Sequence, residues 1–223
     1  MLRPTCVLFD LDGTLIDHFM AIYRCHVYAT RQLSLPEPTM AQVRAAVGGG
    51  LEEAIAKLAG PENVAALRPH FLEHWRATNL DDAELLPGAG EILQALHTAG
   101  VPRAVLTNKR GYAAREVCAH LGLTPLLDGI FGAEDTPWIK PHPRFTQHAL
   151  TTLQADAKGT ALVGDSPFDL ATALNSQLHF IGVTTGTHTA AELKAGGASV
   201  VVDNLTAVAR ELGFAIAPVR PAN

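Results

Sequence analysis

Apolar residues follow two rhythms along this chain. The first run, Val7-Leu8-Phe9, stops abruptly at Asp10-Leu11-Asp12-Gly13-Thr14. It reads as a buried strand ending in a polar turn, for which Gly13 supplies backbone freedom. From His18 to about Leu80 the spacing is helical. Phe19, Ile22, Tyr23, Val27 and Tyr28 recur along a helix from His18 to Leu33, ended by Ser34-Leu35-Pro36. Thr39 caps a short helix through Val47, another runs from Leu51 to Ala59, and Pro61 opens a fourth carrying Leu67, Phe71, Leu72 and Trp75. No strand signal interrupts this stretch.

Beyond Leu86-Pro87-Gly88 helices and strands alternate. Strands are predicted at Arg103 to Thr107, Ile130 to Ala133, Thr160 to Val163, Phe180 to Val183 and Ser199 to Val202. Helices are predicted at Ala89 to Ala99, Gly111 to Leu121, Pro143 to Leu153, Phe168 to Ser176, Ala190 to Ala195 and Leu205 to Leu212. This pattern predicts an α/β fold, a doubly wound parallel sheet with right-handed crossovers. The helical block is too long for an ordinary crossover. It reads as an all-α domain, residues 16–82, inserted into a core of residues 1–15 and 83–223. Leu15-Ile16-Asp17 and Asp81-Asp82-Ala83 would be the two hinge strands, and Ala217 to Pro221 a frayed end.

Composition narrows the function classes. The chain has 223 residues, 48% hydrophobic and 17% charged, as a globular protein with a sizeable core has. A net charge of −5 speaks against a nucleic-acid partner. Cys6, Cys25 and Cys118 are scattered, without disulfide or zinc spacing, which points to a reducing compartment and makes Cys6 core filler. No apolar run can span a bilayer, and Asp10 interrupts the one that could serve as a signal peptide. The expectation is a cytoplasmic protein with no membrane partner.

Four strands end in polar groups. In a parallel α/β sheet the ligand crevice lies beyond the carboxyl ends of the strands, so Asp10 and Asp12 are delivered into a site. One carboxylate can attack an electrophile while the other shuttles a proton, and the repelling pair asks for a hard cation such as Mg²⁺. A strand followed by a solvated Asx turn is the bland alternative. Val105-Leu106-Thr107-Asn108-Lys109 closes on a hydroxyl and an amide that suit phosphate oxygens, although a capping threonine explains Thr107 equally well. Lys140, between Trp138-Ile139 and Pro141-His142-Pro143, is either aimed inward between carboxylates or exposed on a loop. In Val163-Gly164-Asp165-Ser166-Pro167-Phe168-Asp169 the two acids lie one helical turn apart. Asp165 is placed as a metal ligand, and Asp169 as an orienter of water or of Lys140. The helix dipole alone would account for only one of them.

The order Asp-x-Asp-Gly-Thr, Thr, Lys-Pro, Gly-Asp-x-x-x-Asp resembles the haloacid dehalogenase superfamily of phosphohydrolases, in its phosphoglycolate phosphatase branch with a helical cap after the first strand. The resemblance covers nearly the whole chain, including Leu86-Pro87-Gly88 and Gly182 to Gly186. It implies that Asp10 is the nucleophile and Asp12 the general acid/base. Thr107 and the Asn108 backbone would hold the phosphoryl group, and Lys140 would neutralise charge. Asp10, the Asp12 carbonyl and Asp165 would bind Mg²⁺, and Gly13, Thr14 and Gly49 would border the substrate. It also implies that the first strand lies between the second and fourth.

The expected activity is hydrolysis of a small phosphorylated metabolite, phosphoglycolate first, through an aspartyl phosphate. The enzyme would be a monomer or homodimer. Two departures from the family pattern are His18, where serine is common, and Asn175-Ser176 in place of Ala-Gly. His18, near the cap hinge, is either a substrate contact or, the expected outcome, a solvated side chain. Gly48-Gly49-Gly50 is either a loop that selects substrate or a plain turn. It lacks the arginine of a β-phosphoglucomutase-like mutase and the lysine of a phosphonatase, while Arg44, Arg68 and Arg76 could bind a substrate carboxylate. The alternatives are a sugar-phosphate mutase and a non-catalytic phospho-acceptor or binding module. Asp12 argues against the latter, because it can activate water.

Overall fold

A computed structural model describes residues 3–216, so the end expected to fray from Ala217 onward lies outside the described residues. Six parallel strands form the main sheet: β1 (Cys6–Phe9), β4 (Arg103–Arg110), β5 (Gly129–Ala133), β6 (Thr160–Gly164), β7 (His179–Val183) and β8 (Val201–Val202). Their order is β5-β4-β1-β6-β7-β8, which puts the first strand at the centre between the second and fourth of the sheet. Strand alternation splits β1 between two cores. Val7 and Phe9 pack with Ile92, Leu93, Val117 and Val208 on one face. Cys6 and Leu8 pack with Phe145, Leu150 and Ala173 on the other. Helices α5 (Ala89–Thr98), α6 (Gly111–His120) and α10 (Leu205–Glu211) supply the first face. The second comes from α7 (Pro143–Thr152) and α8 (Pro167–Ser176), while α9 (Ala190–Ala195) leads into β8.

The expected helices lie between β1 and the rest of the sheet. They are α1 (Phe19–Gln32), α2 (Met40–Ala46), α3 (Leu51–Ala59) and α4 (Val64–Thr78), with a short 3₁₀ turn at Pro61–Asn63. Thr39 caps α2 in a reciprocal box with Gln42. Ile22, Cys25, Val43, Ile55, Leu67, Phe71 and Trp75 form their common core, joined by Ala113 of α6. One of the two strands expected to join this block to the core lies elsewhere. Strand β2 (Ile16–Asp17) pairs antiparallel with β3 (Glu84–Leu85), so the second joining strand follows Asp81-Asp82-Ala83 rather than containing it. Those acids serve another contact, since Arg24 of α1 pairs with Asp81 and Asp82.

The three cysteines are buried and free, and burial pushes their thiols up, Cys6 to about 11 and Cys25 and Cys118 to about 12. No helix among the described residues is long and apolar enough to cross a membrane.

Candidate active site

Asp10, Asp12, Thr107, Lys140, Asp165 and Asp169, predicted from four separate stretches, are all buried at the carboxyl end of the sheet. The turn after β1 fixes the first of them. Gly13 adopts a φ of +83°, and a Cβ there would fall 2.8 Å from the Gly186 Cα and 2.9 Å from Asp165 Oδ2. The Thr14 hydroxyl donates to Asp165 Oδ1 at 3.2 Å. Thr187 donates to Oδ2 through its N–H and hydroxyl, at 2.7 and 2.8 Å. The structure therefore places Gly13 and Thr14 against Asp165, as its packing and its donor. Thr187 is a site residue that the sequence reading missed, and no local pattern marks it.

Lys140 settles the choice between a buried and an exposed lysine. Its Nζ lies 2.8 Å from Asp10 Oδ1 and 2.6 Å from Asp169 Oδ1. Asp169 Oδ2 accepts from the Ser166 N–H and hydroxyl, at 3.1 and 2.6 Å, and this capping box starts α8. Asp169 thus caps a helix and orients Lys140 at once. The Ser166-to-Asp169 spacing is a legible capping signature that the sequence reading left unused. Asn175, one of the departures from the family pattern, donates to the Pro141 carbonyl at 3.0 Å.

Carboxylate oxygens of Asp10, Asp165 and Asp169 lie within 4.8 Å of one another. Burial pushes the Asp10 and Asp165 carboxyls up, and nearby carboxylates push them further. Burial opposes the charge on Lys140, but Asp10 and Asp169 outweigh it and hold the ammonium above its usual range. Asp169 is committed to the Lys140 cation and to the cap of α8, whereas Asp165 has only hydroxyl and amide donors and Asp10 Oδ1 accepts no hydrogen bond of ordinary geometry among the described residues. Asp10 and Asp165 therefore form the oxygen donor pair that fits a hard divalent cation such as Mg²⁺.

Removing Lys140 leaves its acidic partners uncompensated. Lys140→Met is expected to destabilise the fold by about 3–5 kcal/mol near neutral pH. Denaturant titration checks this, and a wild-type midpoint would show that the acids are neutral without the lysine.

The Thr107-Asn108-Lys109 stretch comes into the site where β4 pairing with β5 breaks register between Leu106 and Arg110. The Asn108 side chain is committed to the protein. It donates to the carbonyls of Gly48 (2.9 Å) and Lys140 (3.0 Å) and accepts from the Lys140 N–H (2.8 Å). It ties the glycine loop to the Lys140 loop and leaves only backbone for a ligand. Lys109, unassigned from sequence, places Nζ 3.0 Å from both Asp12 oxygens and 4.5 Å from the Trp75 ring centroid. His18 is not solvated. It is fully buried, its Nε2 bonds the Asn79 carbonyl, and its Nδ1 lies 3.6 Å from Asp12 Oδ1. Burial opposes charge on Asp12, but Lys109 and His18 hold its carboxyl well below the usual carboxylate range.

A cavity of about 600 Å³ opens over Asp10, Asp12, Thr107 and Asn108 and is walled on the helical side by α1, α3, α4 and the glycine loop. Gly49 lines it, but the backbone freedom is needed on either side, at Gly48 (φ +123°) and Gly50 (φ +93°). The three atoms nearest to a Cβ on Gly49 would all belong to the Glu53 carboxylate, the end of a flexible side chain. None of Arg44, Arg68 and Arg76 lines the cavity. Arg44 pairs with Asp17, and Arg68 with Glu52 and Glu134.

Comparison with known proteins agrees with this geometry. The sequence profile of the haloacid dehalogenase-like hydrolases matches residues 7–183. The chain is 37% identical over 208 residues to the probable phosphatase IndB of Dickeya dadantii, covering 91% of this chain and 90% of that protein. It is 30% identical over 208 residues to a phosphoglycolate phosphatase of Caulobacter vibrioides, covering 90% and 87%. Among solved structures, one described as a predicted phosphoglycolate phosphatase from Haemophilus somnus superposes with a TM-score of 0.86 at 21% identity, covering 95% of this chain and 99% of that one.

Proposed function

The chain belongs to the haloacid dehalogenase-like hydrolases and is a phosphatase, and we propose that it hydrolyses small phosphomonoesters with Mg²⁺ through a phosphoryl-Asp10 intermediate. The observation that carries this reading is the convergence of Asp10 and Asp12 on the floor of one cavity, with Lys140 against Asp10. Asp10 attacks phosphorus, and the phosphorus–oxygen bond to the leaving group breaks. Asp12, at the same opening, gives a proton to the departing oxygen. It then takes one from the water that attacks the acyl phosphate, which frees Asp10 and releases inorganic phosphate. With Lys109 at 3.0 Å, Asp12 as observed is ionised, the form that accepts a proton, so the proton it gives to the departing oxygen is one it first takes from the monoanionic ester.

Lys140, the Thr107 hydroxyl and the Asn108 backbone stabilise charge on the transferred group. Bound at Asp10, the Asp12 carbonyl and Asp165, Mg²⁺ supplies charge neutralisation and phosphoryl orientation. In this reading residues 16–82 act as a lid on a core of residues 1–15 and 83–223. Closure excludes water, and the Gly48-to-Asn108 bond is the contact supporting that role.

Phosphoglycolate, the substrate in the name of the Caulobacter relative, is the reference ester. The test is phosphate release from a panel of small phosphomonoesters with Mg²⁺ present. Catalytic release from at least one is expected. Protein that holds a phosphoryl group for minutes and turns over none would be a phospho-acceptor instead.

A further inference from the structure

We propose that the cavity selects a leaving group that is bulky, uncharged and largely apolar, such as an extended alkyl chain or a ring, over a two-carbon carboxylate. The inference rests on the phosphatase reading and names the substrate class of the same site. Three observations carry it. The cavity, at about 600 Å³, has the volume of a pocket for a larger organic ligand and leaves most of its space unfilled by phosphoglycolate.

Its helical wall carries Ile22, Leu51, Phe71, Leu72 and Trp75, apolar and aromatic side chains lining the same cavity as the two carboxylates. Phe71 and Trp75 are stacked there, with ring centroids 5.8 Å apart. A buried polar group set among these apolar side chains is His26, with Nε2 unpartnered among the described residues. Burial pushes its ring down to about 4, so it offers an uncharged hydrogen bond rather than a cation.

Charge at the cavity argues the same way. Among the described residues its lining cations are Lys109 and Arg110, and both are engaged. Lys109 holds Asp12, and Arg110 lies 2.9 Å from Glu52 and 3.1 Å from Glu134. Glu52, Glu53 and Glu134 also border the opening. A substrate carboxylate would meet these acids and compete for cations already paired, whereas an apolar group would displace water from an apolar wall.

The test is a ladder of n-alkyl phosphates from ethyl to hexyl, with 2-phenylethyl phosphate and phosphoglycolate, assayed as kcat/KM with Mg²⁺. The matching alkyl phosphonates, which cannot be hydrolysed, are titrated by calorimetry. Both kcat/KM and phosphonate affinity are expected to rise about fourfold per methylene until the cavity is filled, as for transfer of a CH₂ out of water. Phosphoglycolate is expected at or below ethyl phosphate. Leu51→Trp, at a half-buried position, fills the cavity from α3 and is expected to lower the phenylethyl-to-ethyl ratio at least tenfold.

A flat phosphonate ladder, or phosphoglycolate preferred tenfold over the hexyl and phenylethyl esters, would overturn the inference while leaving the phosphatase reading intact. Rising phosphonate affinity with no ester hydrolysed would uphold the apolar selectivity and remove the catalytic reading beneath it.

Discussion

Asp10→Asn is expected to lower kcat by about 10⁴-fold or more on every ester, because a neutral amide cannot form the acyl phosphate. The fold should survive. Asp10 is buried beside Asp165 and Asp169, so removing its charge relieves repulsion. Lys140 keeps its 2.6 Å pair with Asp169. The melting temperature is therefore expected to stay at or above that of the wild type, which separates loss of chemistry from loss of structure. Acid-quenched wild-type protein should carry phosphate in an alkali-labile bond during turnover, and the variant none. Wild-type turnover in Asp10→Asn would remove Asp10 from the nucleophile role.

The framework was legible because its signals are local. Val7-Leu8-Phe9 declares a buried strand, and Thr39 declares a helix start that the structure reproduces as a reciprocal cap with Gln42. The acids and lysine at the strand ends were legible for a second reason, since parallel strands bring their carboxyl ends to one edge.

Contacts between distant segments were not legible. Lys109 lies 97 residues from Asp12, and nothing near it in sequence says which acid it meets. His18 looked solvated because it follows Asp17 at the start of a helix, where nothing nearby in sequence shows what covers it. It is buried because Trp75 and Asn79, from the far end of the helical block, close over it. The second of the two short connecting strands was misplaced by a few residues because two-residue strands carry no periodicity. The glycine loop was legible as an interruption, but only its φ angles show that Gly48 and Gly50, rather than Gly49, need the missing side chain.

Removing divalent metal is expected to abolish turnover, by at least about 10³-fold, with recovery on adding Mg²⁺. The physical cause is the pair Asp10 and Asp165. Both are buried, burial and the nearby Asp169 carboxylate push both carboxyls up, and Asp10 must be ionised to attack. Lys140 is already shared between Asp10 and Asp169, and Asp165 has hydroxyl and amide donors but, among the described residues, no cation of its own. A divalent ion supplies the missing positive charge, and binding only the folded state stabilises the protein. Thermal unfolding should therefore move upward with Mg²⁺ even without substrate, by about 2.7 kcal/mol at a hundred times the dissociation constant.

Two variants locate the effect. Asp165→Asn keeps the shape and can still accept from Thr14 or Thr187, but it removes one charged partner. It is expected to raise the half-saturating Mg²⁺ concentration at least about thirtyfold, the equivalent of roughly 2 kcal/mol. Asp169→Asn disturbs the residue that holds Lys140, so it should lower kcat with little change in Mg²⁺ half-saturation. Equal shifts in the two variants would place Asp169 among the ligands. Full activity in exhaustively chelated, metal-free protein would show that Lys140 alone suffices to balance the site.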